Sequence, residues 1–275
     1  MDNLKTRVIS AAILAPLFVF LIYLGGIPFL FTSLLIIGIS SWEFWRMYNK
    51  EQSNRSSAVL LIGLSILTGA SRYFLDFTIA SSVLALCIMI AMLWGNISYE
   101  RKNQKAADGF AVMTTGIVYF GWIGSYLITL RQSENGFWWV IVCLLLVWLS
   151  DTGAFFVGSK FGKHQMAPLV SPHKTWEGYF GGVLSTLVIG ILLFLIIPPV
   201  SKILKFTQMI LLALLIGLIT PFGDLGESMI KRTFGFKDSS NLIPGHGGIF
   251  DRMDTVFWTM VIGYSVYTLI NLGFV

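Results

Sequence analysis

Nine apolar runs, at residues 8–24, 27–45, 57–74, 77–94, 109–130, 137–158, 179–200, 207–223 and 255–275, take up most of this chain. Each is close to the ~20 residues that a helix needs to cross the hydrocarbon core of a bilayer. A segment in lipid must satisfy its backbone N–H and C=O groups internally, which leaves the α-helix as its conformation. The charge content agrees, since 12% of the residues are Asp, Glu, Lys or Arg, against roughly 25% in a soluble domain. The sequence therefore predicts an all-α polytopic membrane protein of about nine transmembrane helices.

The first run follows Lys5 and Arg7, lacks an A-x-A cleavage site and passes directly into the second, so it reads as a retained anchor. Cys87 and Cys143 lie inside apolar runs at no metal or disulfide spacing and read as packing residues. No internal repeat or low-complexity stretch divides the chain, which predicts one integral membrane domain over 1–275.

Loop charges set the expected orientation. Lys5, Arg7, Arg46, Lys50, Arg55, Arg101, Lys102, Lys105, Lys160, Lys163, Lys174, Lys231, Arg232, Lys237 and Arg252 fall on the side of the N-terminus. The other side holds Arg72, Arg131, Lys202 and Lys205, so fifteen of the nineteen basic residues share one face. By the positive-inside rule that face is cytoplasmic and the C-terminus lies outside. The net charge of +5 follows from this asymmetry and from anionic headgroups, with no nucleic acid as partner. Trp138, Trp139 and Trp176 read as interfacial anchors.

The acids are more informative. Asp76 and Glu134 fall on the outer side, whereas Asp151, Glu177, Asp224, Glu227, Asp238, Asp251 and Asp254 gather on the cytoplasmic side of the later half. Carboxylates beside a bilayer are expensive and call for cations or partners. Two blocks carry the cluster, LSDTGAFFVGSKFGKHQMAPLVSPHKTWEGYFGG from Leu149 and TPFGDLGESMIKRTFGFKDSSNLIPGHGGIFDRMD from Thr220. With a helix starting near Ile249, Asp251 and Asp254 project from one face, and Asp224 and Glu227 repeat the same spacing. Two such pairs make a hard, all-oxygen site suited to magnesium. Ahead of that helix stands PGHGG, Pro244 to Gly248, where N–H groups and missing side chains suit an anion such as phosphate. His246 reads as a phosphate or nucleotide contact and His164 as a surface residue.

Ser228-Met229-Ile230-Lys231-Arg232, then Lys237-Asp238, His246-Gly247-Gly248 and Asp251-Arg252-Met253-Asp254 together resemble the signature of the phosphatidate cytidylyltransferases, or CDP-diglyceride synthetases. The upstream SDTGAFFVG and SPHKTWEG are similar to family segments as well, with His173 where the family pattern usually has lysine. The resemblance implies an enzyme that joins CTP to phosphatidic acid, giving CDP-diacylglycerol and pyrophosphate. It also implies a homodimer in the cytoplasmic membrane, a Mg2+ requirement and a second cation nearby. Carried onto this chain, it makes Asp224, Asp251, Lys231 and Arg232 the catalytic candidates. Ser171, Lys174, Lys237, His246, Gly247, Gly248 and Arg252 become the substrate contacts, and Asp151, Asp224, Asp251 and Asp254 the metal ligands. A CTP-dependent lipid kinase of the polyprenol type would use the same lipid, nucleotide and metal. A transporter of phosphorylated lipids would instead place ionisable groups at mid-bilayer and often show inverted repeats.

The loop charges yield a direct test: a cysteine at Ser240 is expected to react with thiol reagents from the cytoplasmic side alone. Labelling in intact cells by an impermeant reagent would overturn the orientation.

Overall fold

The computed structural model describes the backbone of residues 2–49 and 55–274 and the side chains of residues 10–49 and 57–274. The side chains of Lys5, Arg7, Lys50 and Arg55, which enter the charge count above, lie outside the described residues.

Each of the nine apolar runs is helical over most of its described residues. They form α1 (Asp2–Leu24), α2 (Gly26–Tyr48), α3 (Arg55–Phe74), α4 (Phe77–Glu100), α5 (Ala106–Gly116), a π-helical segment (Ile117–Ile123), α6 (Tyr126–Gln132), α7 (Gly136–Phe161), α8 (Trp176–Ile196), α9 (Pro198–Ile203), α10 (Phe206–Ile219), α11 (Pro221–Thr233) and α12 (Phe250–Asn271). Among the described residues eight stretches are long and apolar enough to cross a bilayer, and the first run adds a shorter apolar helix, Ser10–Leu24. One antiparallel hairpin, β1 (Gln165–Ala167) with β2 (Ser171–Thr175), supplies the named strands. The chain is an all-α polytopic membrane protein.

Local chemistry explains where the helices depart from the apolar runs. The seventh run stops early, at Ile196, because Pro198 and Pro199 cannot continue α8 and instead open α9. The eighth breaks at Thr220, and Pro221 takes the first position of α11, where its missing N–H has no partner to lose. From there α11 runs on to Thr233 as a polar helix, well beyond the apolar stretch. The fifth run is divided by the π-helical segment, which lays Gly121 against α3. A Cβ on Gly121 would stand 2.9 Å from the Ser65 carbonyl oxygen.

The fold consists of two compact units. The first comprises Met1–Gln132 and Asp238–Asp251, the second Ser133–Lys237 and Arg252–Val275. In the first unit, α2, α3 and the π-helical segment enclose an aromatic core. Phe120 stacks edge-on against Phe250 at 4.9 Å and lies 5.5 Å from Phe44. Phe250, at the head of α12, is fully buried there and fixes where that helix begins.

In the second unit, α7 and α8 meet along a seam of small residues. Lipid tails are as apolar as leucine, so helices in a bilayer gain little from burying apolar surface and associate through close contact instead. Gly178 and Gly182 of α8 face Ser150, Ala154 and Gly158 of α7. The Thr175 hydroxyl caps α8 by accepting the Gly178 N–H at 3.2 Å. A Cβ on Gly178 would stand 2.9 Å from the Ala154 carbonyl and 3.2 Å from Gly158 Cα, backbone atoms that cannot turn aside.

Gly178→Ala is therefore expected to push α7 and α8 apart and to cost about 1–3 kcal/mol, read as a lower thermal midpoint in detergent. Gly63→Ala, at a position with no atom within 4 Å of the added Cβ, is expected to leave the midpoint unchanged or raise it. Equal midpoints for the two variants would contradict the seam.

Candidate active site

Three acidic side chains converge in the second unit. On α11, Asp224, Glu227 and Lys231 follow one another at spacings of three and four and so share a helix face. Gly223 lets α11 lie against α12, since a Cβ there would come within 2.8 Å of the Asp254 carbonyl oxygen. One oxygen each from Asp224, Glu227 and Asp254 lies within 4.8 Å of the others. Glu227 and Asp254 are buried and Asp224 is half-buried.

Carboxylates this close repel strongly in a medium of low dielectric, and two lysines answer them. Lys174 of β2 reaches Asp224 Oδ2 at 2.6 Å, and Lys231 pairs with Glu227 Oε2 at 3.0 Å. Ser228 adds its hydroxyl to Asp224 Oδ1 at 3.3 Å. Asp151 of α7 interacts electrostatically with Asp224, Lys174 and Arg252, and Arg252 with Asp254. Three carboxylates against two ammonium groups, with oxygen as the donor type, suit a hard divalent cation.

The hairpin that carries Lys174 is fixed at its base. Glu177, in the first turn of α8, accepts the N–H groups of Lys163 at 3.1 Å and His164 at 3.2 Å and binds His164 Nδ1 at 2.6 Å. His164 is otherwise exposed, as its loop position suggested. Ser171 pairs with Ala167 in the hairpin, while His173 and half of Trp176 face outward. Arg232 donates to the Phe236 carbonyl at 3.2 Å, closing the C-terminal end of α11, and Lys237 and Arg252 are exposed.

The first unit holds the other half of the signature, the segment from Asp238 to Asp251. Its glycine turn closes through the Ile243 N–H, which donates to the Gly247 carbonyl at 2.8 Å. Gly247 adopts φ +80°, where a side chain is strained. Asp251 turns back onto this segment. Its Oδ2 accepts the Gly248 N–H at 2.7 Å, the Ser239 N–H at 2.9 Å and the Ser239 hydroxyl at 2.9 Å. His246, half-buried, donates its N–H to the Ile243 carbonyl at 2.9 Å. Thus Asp251 and Asp254, expected to act from one helix face, engage different partners: Asp251 the signature loop, Asp254 the acids of α11.

One residue of this loop's surroundings was not read from the sequence. Glu43 of α2, with no exposed surface, accepts the Phe250 N–H at 2.7 Å, the Ile249 N–H at 3.1 Å, the Ser240 hydroxyl at 2.5 Å and the Ser239 hydroxyl at 3.2 Å. The sequence signal was available, for Glu43 is a lone acid inside an apolar run and such a charge requires partners. The N–H groups at the head of α12, expected to await a phosphate, are occupied here by the protein's own carboxylates. Ser240 is buried beneath Glu43, so the exposed neighbour Asn241 is the better position for a thiol probe of orientation.

Comparison with known proteins adds the family. The sequence model of the Cytidylyltransferase family matches residues 5–270. The phosphatidate cytidylyltransferase of Bacillus subtilis (strain 168) is 29% identical over 275 residues, covering 98% of this chain and 100% of that relative. The phosphatidate cytidylyltransferase of Brucella suis biovar 1 (strain 1330) is 32% identical over 259 residues, 92% of this chain and 89% of the relative. That of Thermotoga maritima is 27% identical over 273 residues, 98% of each chain. With the match running almost from end to end and taking in both the carboxylate cluster and the signature loop, the chain belongs to the cytidylyltransferase family.

Proposed function

We propose that this chain transfers the cytidylyl group of CTP to phosphatidic acid, forming CDP-diacylglycerol and pyrophosphate for phospholipid synthesis. The observation that carries the reading is the trio Asp224, Glu227 and Asp254, faced by Lys174 and Lys231, at the ends of apolar helices in a chain of this family. The names of the relatives support phosphatidate as the acceptor.

The chemistry fits this residue set. A phosphate monoester carries a charge of about −1.5 to −2 near neutral pH and is already a nucleophile, so no general base is required. A lipid phosphate oxygen forms the new bond to the α-phosphorus of CTP, and the bond from that phosphorus to the bridging oxygen breaks. The electron pair leaves with pyrophosphate. Catalysis then consists of alignment and charge neutralisation. Mg2+, when bound, supplies neutralisation of the phosphate oxygens. Asp224, Glu227 and Asp254 would hold it, with Asp151 of the same unit completing the acidic set, whereas Asp251 holds the signature loop. Lys231 and Arg232 stabilise the leaving pyrophosphate, and Lys174, Lys237 and Arg252 bind the substrate phosphates. Ser171 in the second unit and His246 and Gly247 in the first are further substrate contacts, while Gly248 is buried with its N–H held by Asp251. The enzyme works as a homodimer in the cytoplasmic membrane with this chemistry on the cytoplasmic face, where CTP is available. A cysteine at Asn241 reports that sidedness.

Asp224→Asn and Asp254→Asn are each expected to lower pyrophosphate release on the order of 10²-fold or more, whereas Glu100→Gln, at the exposed last residue of α4, leaves it unchanged. Near-normal turnover in either aspartate variant at limiting magnesium would remove that residue from the cation site.

The bond that breaks separates this reading from a lipid kinase. Purified protein given phosphatidic acid and CTP labelled at the α- or γ-phosphorus is expected to place the α-label in the lipid and the γ-label in pyrophosphate. Lipid carrying the γ-label and no α-label would make the protein a kinase, and no nucleotide turnover at all would favour a transporter.

A further inference from the structure

The α2 helix grips the signature loop from two sides. Glu43 receives four donors from it, the hydroxyls of Ser239 and Ser240 and the N–H groups of Ile249 and Phe250, where α12 begins. One turn further on, Arg46 Nη2 donates to the Ser239 carbonyl at 2.7 Å, its guanidinium lying 5.3 Å from the centre of the Trp42 ring. Ser239 is thereby held at its hydroxyl by Glu43 and Asp251 and at its carbonyl by Arg46. Gly248 completes the fit, since a Cβ there would collide with both Ser239 Oγ and Glu43 Oε1.

This arrangement is specific in its charge. All four partners of Glu43 are donors, so they call for an acceptor at both carboxylate oxygens. Glutamine would turn an NH2 group toward donors, and alanine would leave four buried donors around an empty, carboxylate-shaped space. These contacts join residues about two hundred positions apart along the chain.

We propose that Glu43 is a positioning residue for cytidylyl transfer: it holds the loop 239–250, and so sets the placement of His246 and Asp251, without touching substrate. This rests on the function proposed above. Displacements of the order of an ångström in a reacting assembly cost about 10²-fold in rate, which sets the size of the expected effect.

The test uses the full-length protein in detergent micelles with phosphatidic acid. Glu43→Ala is expected to lose turnover by about 10²-fold and to show faster amide hydrogen exchange in the peptide 239–250, with exchange in α7 and α8 unchanged. Added acetate, which fits the vacated donors, is expected to restore both turnover and protection. Glu43→Gln is expected to lose turnover as well but to ignore acetate, because the amide fills the space. Should Glu43→Ala fail to purify, Glu43→Asp keeps the charge one methylene short and is expected to fall between parent and Gln variant on both readouts. Parent-like turnover in the Ala and Gln variants would overturn the proposal. So would a loss of turnover without altered exchange at 239–250, or a loss that acetate leaves untouched in the Ala variant. If the parent chain transfers no cytidylyl group, the function falls, while the exchange measurement still decides whether Glu43 holds the loop.

Discussion

A carboxylate at the end of an apolar helix must be matched by donors or by cations, because neither water nor a high dielectric is at hand to stabilise it. The protein uses both solutions. In the first unit, Glu43 and Asp251 are surrounded by N–H and O–H donors and organise a loop. In the second, Asp224 and Glu227 are matched by lysines, and with Asp254 they form the cluster suited to a cation. The same residue type thus gives rigidity in one place and ligand chemistry in the other, and the choice is made by what the neighbouring backbone presents.

The small-residue seam serves the same end. Glycines at α7 and α8 bring two helices close enough to hold the hairpin that carries Lys174, and Gly223 lets α11 approach the backbone of Asp254. In water such contacts would add little beyond burial. In a bilayer, where apolar contact with lipid is available everywhere, close packing is what distinguishes one helix neighbour from another.

Much of this was legible in the sequence. The length of the apolar runs fixed the helices, and the polar blocks after Leu149 and Thr220 contain the cluster and the loop. Helix boundaries depart from the apolar runs where a proline pair ends α8 early and where α11 continues as a polar helix beyond its apolar start. The hairpin was hidden because its strands are short and irregular in pattern. Spacing alone put Asp251 and Asp254 on one helix face but could not say which partners each would meet. Nor could it reveal that Asp251 takes the N–H of Gly248 while Glu43, about two hundred residues away along the chain, takes those of Ile249 and Phe250. Local pattern carries periodicity and turns, whereas a pairing between distant residues leaves only the trace of one unexplained acid in an apolar run.

The central claim is that the acids divide into a cation-binding set and a loop-holding set. Binding of Mn2+ to the purified protein, followed by electron paramagnetic resonance, tests it without reference to turnover. The account predicts that Asp224→Asn and Asp254→Asn abolish or greatly weaken binding while Glu43→Gln retains it. Undiminished binding in both aspartate variants, or a loss in Glu43→Gln as deep as theirs, would contradict it.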